Sequence, residues 1–258
     1  MSPENLVVNG LWIGGSLSFL EELTIRSFIN NGHTFHLWVY DDITTSVGEG
    51  LTIKDANQII PNHQVFKYPD DSKIDWGKGS YAGFSDLFRY KLLYNIGGWW
   101  VDMDVTCLKP FEFGSPYFFR NHWKYPVVGN VMKTPKGCDT MLRCYEICLQ
   151  EINEHNLNWH RPIEILNEQV IRGNLREYRR LGLFNLDVYH HIKCYFELPL
   201  SIPNDWYGIH WINSSGKFSF KPNSTFAQLL KKHSIDIVDA GGKQNNKRFV
   251  DWFKSLTS

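Results

Sequence analysis

Three carboxylates and one arginine fall close together in the chain and could share one site. Asp86 and Arg89 are three residues apart within a predicted helix, a spacing that puts them on one helix face. Asp102 and Asp104 follow an apolar run, and residues two apart on extended backbone project to the same side. Carboxylate oxygens suit Mg²⁺ or Mn²⁺, which can bridge a diphosphate and neutralise its charge as it departs. The pattern predicts a metal-assisted site for a phosphorylated ligand.

The element that carries Asp86 and Arg89 is a helix predicted over residues 82–95. Its apolar residues recur at helical spacing and mark a buried stripe that leaves Asp86, Arg89 and Tyr90 on an adjacent face. Gly97-Gly98 ends the helix, and a buried strand is predicted over residues 99–101. Because binding residues of open α/β sheets gather at the carboxyl ends of strands, Asp102 and Asp104 stand where a ligand is expected.

The remaining pattern favours an α/β fold with a mostly parallel central sheet flanked by helices. A strand region broken by Asn9-Gly10, a helix over 17–30 and a strand over 34–40 follow the βαβ rhythm. Less regular sequence next predicts a short helix at 53–60 and a strand at 63–68. Further strands are predicted at 118–120 and 127–132, and further helices at 138–154 and 163–172.

Composition excludes some function classes. The 258 residues fit one domain, and 27 Lys+Arg balance 27 Asp+Glu, so no net field attracts nucleic acid. Aromatic residues make up 15% of the chain, which suits a ring-rich core or stacking on sugars and bases. Five scattered cysteines indicate a reducing compartment. With no signal peptide or membrane span apparent, we expect a soluble, cytoplasmic catalytic domain.

The motifs together resemble a known family. Ser-Asp-x-x-Arg-Tyr at 85–90, followed by Gly-Gly-x-x-x-Asp-x-Asp at 97–104, is similar to the signature of the DXD-containing sugar transferases of glycosyltransferase family 32. Their relatives include the glucosylating domains of large clostridial toxins. The likeness is strongest over residues 81–111 and extends more weakly to Trp12-Ile13-Gly14-Gly15 and to His210-Trp211. The resemblance implies a single Rossmann-like GT-A domain, with residues 1–110 mainly binding the nucleotide sugar. Residues 111–258 would supply the acceptor side and a late metal and diphosphate loop.

The resemblance also implies a role for each matching residue. Trp12 would stack on the base of the donor, and Asp86, Arg89 and Trp100 would contact the donor. Asp102 would touch ribose or sugar and, with Asp104, form the catalytic pair. Asp104 and His210 would hold a divalent cation, usually Mn²⁺ with Mg²⁺ as the substitute, and Ser214 would reach a phosphate. Imidazole can complete a Mn²⁺ shell otherwise made of oxygens.

Three departures from the family pattern leave the substrate open. Trp100 stands where the family usually carries Tyr, and Phe218 stands near an expected Trp. Residues 156–172 lack the Thr-Gly-Pro common in that region, so the acceptor cannot be named.

We expect a metal-dependent transfer of a monosaccharide from a nucleotide diphosphate sugar to a glycan or lipid-linked sugar acceptor. The resemblance favours a UDP-sugar over a GDP-sugar and implies retention at the anomeric carbon. A lipid-linked acceptor would bring the protein to the membrane periphery. Two other readings stay open: a nucleotide-sugar or carbohydrate-binding module without turnover, and a metal-dependent phosphohydrolase.

Overall fold

A computed structural model describes residues 1–74, 76–213 and 219–235. The helices are α1 (Pro3–Leu6), α2 (Phe19–Asn30), α3 (Ala82–Asn95), α4 (Asp139–Glu151), α5 (Arg161–Arg172), α6 (Tyr189–Glu197) and α7 (Thr225–Lys232). The strands are β1 (Val7–Trp12), β2 (Thr34–Val39), β3 (Leu51–Asp55), β4 (Gly98–Val101), β5 (Val105–Cys107), β6 (Phe118–Arg120), β7 (Val128–Thr134), β8 (Arg179–Arg180) and β9 (Gly208–His210).

One large mixed sheet forms the centre of the described fold. Seven strands lie in the order β3-β2-β1-β4-β7-β6-β8. The pairings β3–β2, β2–β1, β1–β4 and β6–β8 are parallel, whereas β7 runs antiparallel to β4 and β6. The predicted α/β class with a mostly parallel sheet and flanking helices is confirmed. In the same described ranges, β5 and β9 form a separate antiparallel pair.

Helix α3 ends where the sequence predicted, at the glycine pair. Gly97 and Gly98 have φ of +74° and +83°, in the left-handed region that glycine enters without strain. A Cβ on Gly97 would also lie 2.3 Å from the backbone nitrogen of Lys136, so the chain there passes too close for any side chain. The pair turns the chain directly from α3 into β4, and this turn sets Arg89 beside Asp102.

Two local predictions were wrong in the first third of the chain. Residues 53–60 hold the edge strand β3 and a single 3₁₀ turn, Ala56–Gln58, in place of a helix. Residues 63–68 form no strand, and a 3₁₀ turn covers Asn62–Gln64. Pairing with β2 outweighs the weak helical pattern, since β3 is half-exposed and shows little periodicity of its own.

Strand β1 is also continuous, although a break was predicted at Asn9-Gly10. Both residues pair with β2. A Cβ on Gly10 would lie only 2.8 Å from the Met103 sulfur, too close for both to fit. Glycine is thus needed inside the strand so that Met103 can enter the core. That burial holds the turn between Asp102 and Asp104 against the sheet.

Candidate active site

The carboxyl ends of β1 and β4 form the edge of the sheet where the predicted residues meet. The two strands run parallel with Asn9 opposite Trp100, so Trp12 and Asp102 both emerge at this edge. The Trp12 ring is partly buried, and its Nε1–H donates to the Ser16 carbonyl at 3.1 Å. This bond fixes the ring at the edge of the sheet while one part of it stays exposed.

Asp86, Arg89 and Asp102 form what we call the helix cluster. Arg89 Nη1 lies 3.3 Å from Asp86 Oδ1, and Arg89 Nη2 lies 3.2 Å from Asp102 Oδ1. The guanidinium therefore bridges a carboxylate of α3 and the carboxylate that follows β4. A Cβ on Gly129 would stand 2.6 Å from Arg89 Nη1, so glycine in β7 makes the room for this group. Sequence reasoning predicted all three members.

Trp100 lies beneath the helix cluster and does not line an open surface. Its ring is 1% exposed, and its Nε1–H donates to Asp102 Oδ1 at 2.8 Å. The Arg89 guanidinium carbon sits 5.5 Å from the centre of the indole ring. Trp100 thus carries a polar hydrogen at the position where a Tyr hydroxyl was expected, and that hydrogen orients Asp102.

Tyr90 departs from the predicted face. It is fully buried in the core, and its hydroxyl donates to the Pro162 carbonyl at 3.1 Å. Helix α3 packs under the sheet on one side and against α4 on the other, so most of its circumference is covered. Asp86 and Arg89 reach the site because they lie on the remaining narrow strip.

Burial controls the charge of the helix cluster. It raises the pKa of Asp86 to about 6, even though Arg89 acts in the opposite direction. Burial likewise raises the pKa of Asp102, with Arg89 opposing and Asp104 adding to the shift. These carboxylates are kept ionised mainly by one guanidinium, so their hydrogen-bonding state depends on Arg89.

Asp102 and Asp104 are separated by a turn and not by extended backbone, which corrects the geometric reason given for their convergence. The Met103 side chain is buried, and the two carboxylates meet different partners. Asp102 faces Arg89, whereas Asp104 accepts a hydrogen bond from the backbone N–H of Asn213 at 2.8 Å. Asp102 belongs to the helix cluster and Asp104 to a second group described next, so the two carboxylates do not by themselves form a metal site.

Asp104, Asp187 and His210 form the second group, which we call the loop cluster. His210 Nε2 lies 3.4 Å from Asp104 Oδ2, and His210 Nδ1 lies 2.8 Å from Asp187 Oδ1. The β5–β9 pair brings them together, because Val105 stands opposite His210 in its register. The structure therefore places His210 beside Asp104, the proximity that the two predicted metal ligands require.

A buried arginine anchors the loop cluster and was missed from the sequence. Arg120, fully buried at the end of β6, donates to both Asp187 oxygens at 2.6 and 2.5 Å. Its guanidinium also donates to the Asn130 side chain at 3.0 Å and to the Asn185 carbonyl. The one available signal was an arginine closing the apolar run Phe118-Phe119, and it does not point to Asp187.

Charges in the loop cluster reinforce one another. Burial alone would lower the pKa of His210, but the Asp104 and Asp187 carboxylates raise it to about 10. Burial opposes ionisation of Asp187, yet Arg120 and His210 hold its pKa well below the usual range. A histidine between two carboxylates has one nitrogen fixed by Asp187 and presents the other to Asp104.

Comparison with known proteins identifies the part of the chain that holds these motifs. Residues 26–124 match the family described as "Glycosyltransferase sugar-binding region containing DXD motif". This range includes Asp86, Arg89, Asp102 and Asp104. The match covers both predicted motifs and less than half of the chain. The resemblance inferred from the motifs is thereby confirmed over these residues.

Comparisons with whole proteins are less specific. No curated protein matches the chain. Among solved structures, "PaToxG Glycosyltransferase" is similar at 12% identity and a TM-score of 0.44, covering 65% of this chain and 68% of its own. A transferase with two cysteine-to-serine substitutions is similar at 11% identity and a TM-score of 0.42, covering 69% of this chain and 88% of its own.

The donors in the loop cluster fit a divalent cation in part. Within residues 1–74, 76–213 and 219–235, no group of three His, Cys, Asp or Glu side chains is assembled as a metal site. Asp104 Oδ2 and His210 Nε2 nevertheless lie close enough to share one ion that replaces the imidazole proton. The Asn213 Oδ1 atom is buried and has no hydrogen-bond partner among those residues, so it can serve as a further oxygen donor.

Two residues singled out by the sequence lie outside the described ranges. They are Ser214, predicted to reach a phosphate of the donor, and Phe218, compared with an expected Trp. In the part that is described, no helix is long and apolar enough to cross a membrane.

Proposed function

We propose that this protein is a glycosyltransferase that moves a monosaccharide from a nucleotide diphosphate sugar to a hydroxyl of a glycan or glycolipid acceptor, with retention at the anomeric carbon. A UDP-sugar is the favoured donor and a GDP-sugar the second choice. The observation that carries the proposal is the meeting of the helix cluster and the loop cluster at the carboxyl edge of β4. One offers hydrogen-bonding groups for a sugar, and the other offers donors for a cation beside a diphosphate.

Within this proposal the helix cluster holds the sugar and ribose. Arg89 presents a planar set of N–H donors to hydroxyl oxygens, and the Asp86 and Asp102 carboxylates accept from hydroxyl hydrogens. Trp12 stacks on the base, and Trp100 positions Asp102. Because the charged groups are largely shielded from solvent and already paired with one another, the site loses little freedom when it closes on the donor.

The loop cluster is where the cation would bind. Asp104 and His210 would hold Mn²⁺ or Mg²⁺, and the bound ion would supply positive charge to stabilise the departing diphosphate. Asp187 accepts from His210 Nδ1 and so keeps Nε2 directed at Asp104. Carboxylate partners of this kind fix the tautomer and orientation of metal-binding histidines.

A front-side reaction fits the carboxylates that the structure describes near the site. The bond from the anomeric carbon to the diphosphate breaks, a bond to the acceptor oxygen forms, and the hydroxyl proton passes to the departing diphosphate. A double displacement needs a free carboxylate on the opposite face of the sugar. Asp86, Asp102, Asp104 and Asp187 are each engaged by Arg89, Arg120 or His210.

The proposed compartment is the cytoplasm, with contact to a membrane surface when the acceptor is lipid-linked. Support comes from the cysteines, all five of which are free thiols, four of them buried. Cys144 and Cys148 pack in the core as small apolar side chains.

The test is an assay of nucleotide diphosphate release by the purified chain with Mn²⁺, a panel of UDP- and GDP-sugars, and glycan acceptors. We expect release with one donor and a loss of about a thousandfold in Asp104→Asn, as is typical when a group that stabilises transition-state charge is removed. Asp71→Asn, at an exposed loop position, is the matched control. Undiminished release by Asp104→Asn would overturn the metal assignment. Inorganic phosphate as the product would favour a phosphohydrolase, and donor binding without turnover would favour a binding module.

A further inference from the structure

The loop between β6 and β7, residues 121–127, has both of its ends in the candidate site. It leaves β6 at Arg120, which binds Asp187, and it enters β7 two residues before Asn130. The Asn130 amide nitrogen lies 3.1 Å from His210 Nδ1. The loop is therefore held directly beside the loop cluster, and none of its residues has a role in the donor site proposed above.

Aromatic rings form a continuous row along this loop. The ring centres of His160 and Tyr125 are 5.6 Å apart, those of Tyr125 and His122 are 5.8 Å apart, and those of His122 and Trp123 are 5.7 Å apart. Neighbouring planes are tilted by 34° to 36°, so the rings succeed one another at similar angles. The row begins on the segment before α5 and ends at Trp123.

Trp123 gains little from the fold in this position. Its side chain is 61% exposed, whereas Trp99, Trp100 and Trp211 are almost fully buried. Burial of a large ring stabilises the folded chain, and most of that contribution is absent at Trp123. An exposed indole face beside a sugar-transfer site is suited to the apolar C–H face of a sugar ring.

His122 adds a directed hydrogen-bond donor next to this face. Its Nδ1 accepts the backbone N–H of Lys124 at 3.0 Å, and burial lowers the pKa of the ring to about 4. A neutral ring bonded in this way carries its hydrogen on Nε2. That atom lies 4.0 Å from Asp187 Oδ2, which is too far for a direct hydrogen bond but close enough for one hydroxyl oxygen to contact both.

We propose that Trp123 and His122 form the acceptor subsite, and that the acceptor group bound there is a saccharide ring. The ring stacks on the exposed face of Trp123, and one of its hydroxyls bonds with His122 Nε2. This inference rests on the proposed sugar transfer and adds the residues that bind the acceptor saccharide. A flat apolar face next to an uncharged donor matches a sugar better than it matches an anionic group or a broad apolar surface.

The first arm of the test needs no donor. Saturation-transfer NMR on the full chain uses methyl glycosides of glucose, galactose and mannose, together with lactose, as probes. We expect transfer to at least one probe, and a weakening of about tenfold or more in Trp123→Ala, the loss equivalent to one stacking contact. Trp123→Phe should keep most of the binding and Trp123→Leu should not, because leucine is apolar but has no flat face. Leu149→Ala, an exposed apolar position on α4, is the control.

The second arm is kinetic. Trp123→Ala should raise the KM for the acceptor by about tenfold and the KM for the donor by less than about threefold. Equal effects of Phe and Leu, no effect of Ala, or no transfer to any probe in the wild-type chain would overturn the acceptor subsite. Failure of the proposed function would look different, because no donor would release its nucleotide while glycoside binding through Trp123 persisted.

Discussion

The two halves of the candidate site are supported in different ways. The helix cluster stands on α3 and on the end of β4, whose main-chain hydrogen bonds fix the Cα positions of Asp86 and Arg89. The loop cluster joins a turn, an irregular segment and a three-residue strand, and side chains fix its geometry. Arg120 has the role there that regular backbone has in the helix cluster.

Backbone conformation sharpens the contrast. Asp187 of the loop cluster has a φ of +35°, and Ile212, which closely follows His210 in the chain, has a φ of +57°. Residues other than glycine seldom occupy this region. Each such residue costs on the order of 1–3 kcal/mol and persists only where its surroundings impose it. No member of the helix cluster has a positive φ. A site on regular elements needs little side-chain support, whereas one on loops depends on a buried network.

The largest expected effect breaks that network at Arg120. Arg120→Met leaves the buried Asp187 carboxylate without its main partner, and the free energy of unfolding should fall by about 3–5 kcal/mol. Urea denaturation measures the change. Arg143→Met, which removes an exposed ion pair with Glu146, should cost less than about 1 kcal/mol. Similar losses in the two variants would mean that the loop cluster has no special anchor.

Arg89→Lys tests the helix cluster at the group that joins its members. A lysine keeps the charge but presents all its N–H groups from one nitrogen, so it cannot hold Asp86 and Asp102 with two separate nitrogens of a planar group as Arg89 does. Loss of one charge-assisted hydrogen bond between residue 89 and the donor should raise the KM for the donor by about 10- to 100-fold. The free energy of unfolding should change less than in Arg120→Met. Arg26→Lys on α2 is the control. An unchanged donor KM would remove Arg89 from the donor site.

The pKa of Asp86 predicts how the rate depends on pH. Since burial raises this pKa to about 6, the carboxylate gains a proton as the pH falls through that value and then loses its ion pair and part of its acceptor capacity. The kcat/KM for the donor should therefore fall by up to about tenfold per pH unit below 6 and level off above it. Asp86→Asn should be slower and lack this limb, whereas Asp71→Asn should retain it. A limb that survives Asp86→Asn belongs to another group.

The smallest effect is expected at Asn213. If its buried, unpartnered Oδ1 donates to the cation, Asn213→Ala should weaken Mn²⁺ binding by several-fold, a modest loss because one neutral ligand is removed. Calorimetric titration with Mn²⁺ alone measures this without turnover. Asn223→Ala, at an exposed position, should match the wild-type chain. Equal Mn²⁺ affinities in all three proteins would mean that Asn213 is not a ligand and that the protein's ligands are Asp104 and His210.

The same contrast explains what the sequence could predict. Asp86, Arg89 and Asp102 lie within one helix–turn–strand unit, so their proximity follows from local periodicity and from Gly97-Gly98. The link from Asp104 to His210 required a resemblance, because it depends on pairing between distant segments.

No local signal linked Arg120 to Asp187. Their contact joins residues 67 apart, and an arginine that ends an apolar strand is usually placed at the surface. The missed strand β3 has the same origin. It is stabilised by pairing with β2, which lies too far away in the chain for the local sequence of β3 to reveal the pairing. Contacts between distant segments, and not local propensity, decide these features.

The β5–β9 pair has a consequence for strand register. Successive side chains of a strand point to opposite faces, so a shift of one residue would turn His210 away from Asp104 and expose Ile209 or Trp211. Ile209 and Trp211 are buried, and the Trp211 indole donates to Thr106 at 2.8 Å. These two apolar neighbours therefore fix the register of β9 against β5. Substitutions at them would misplace the imidazole of His210 without changing any polar group of the site.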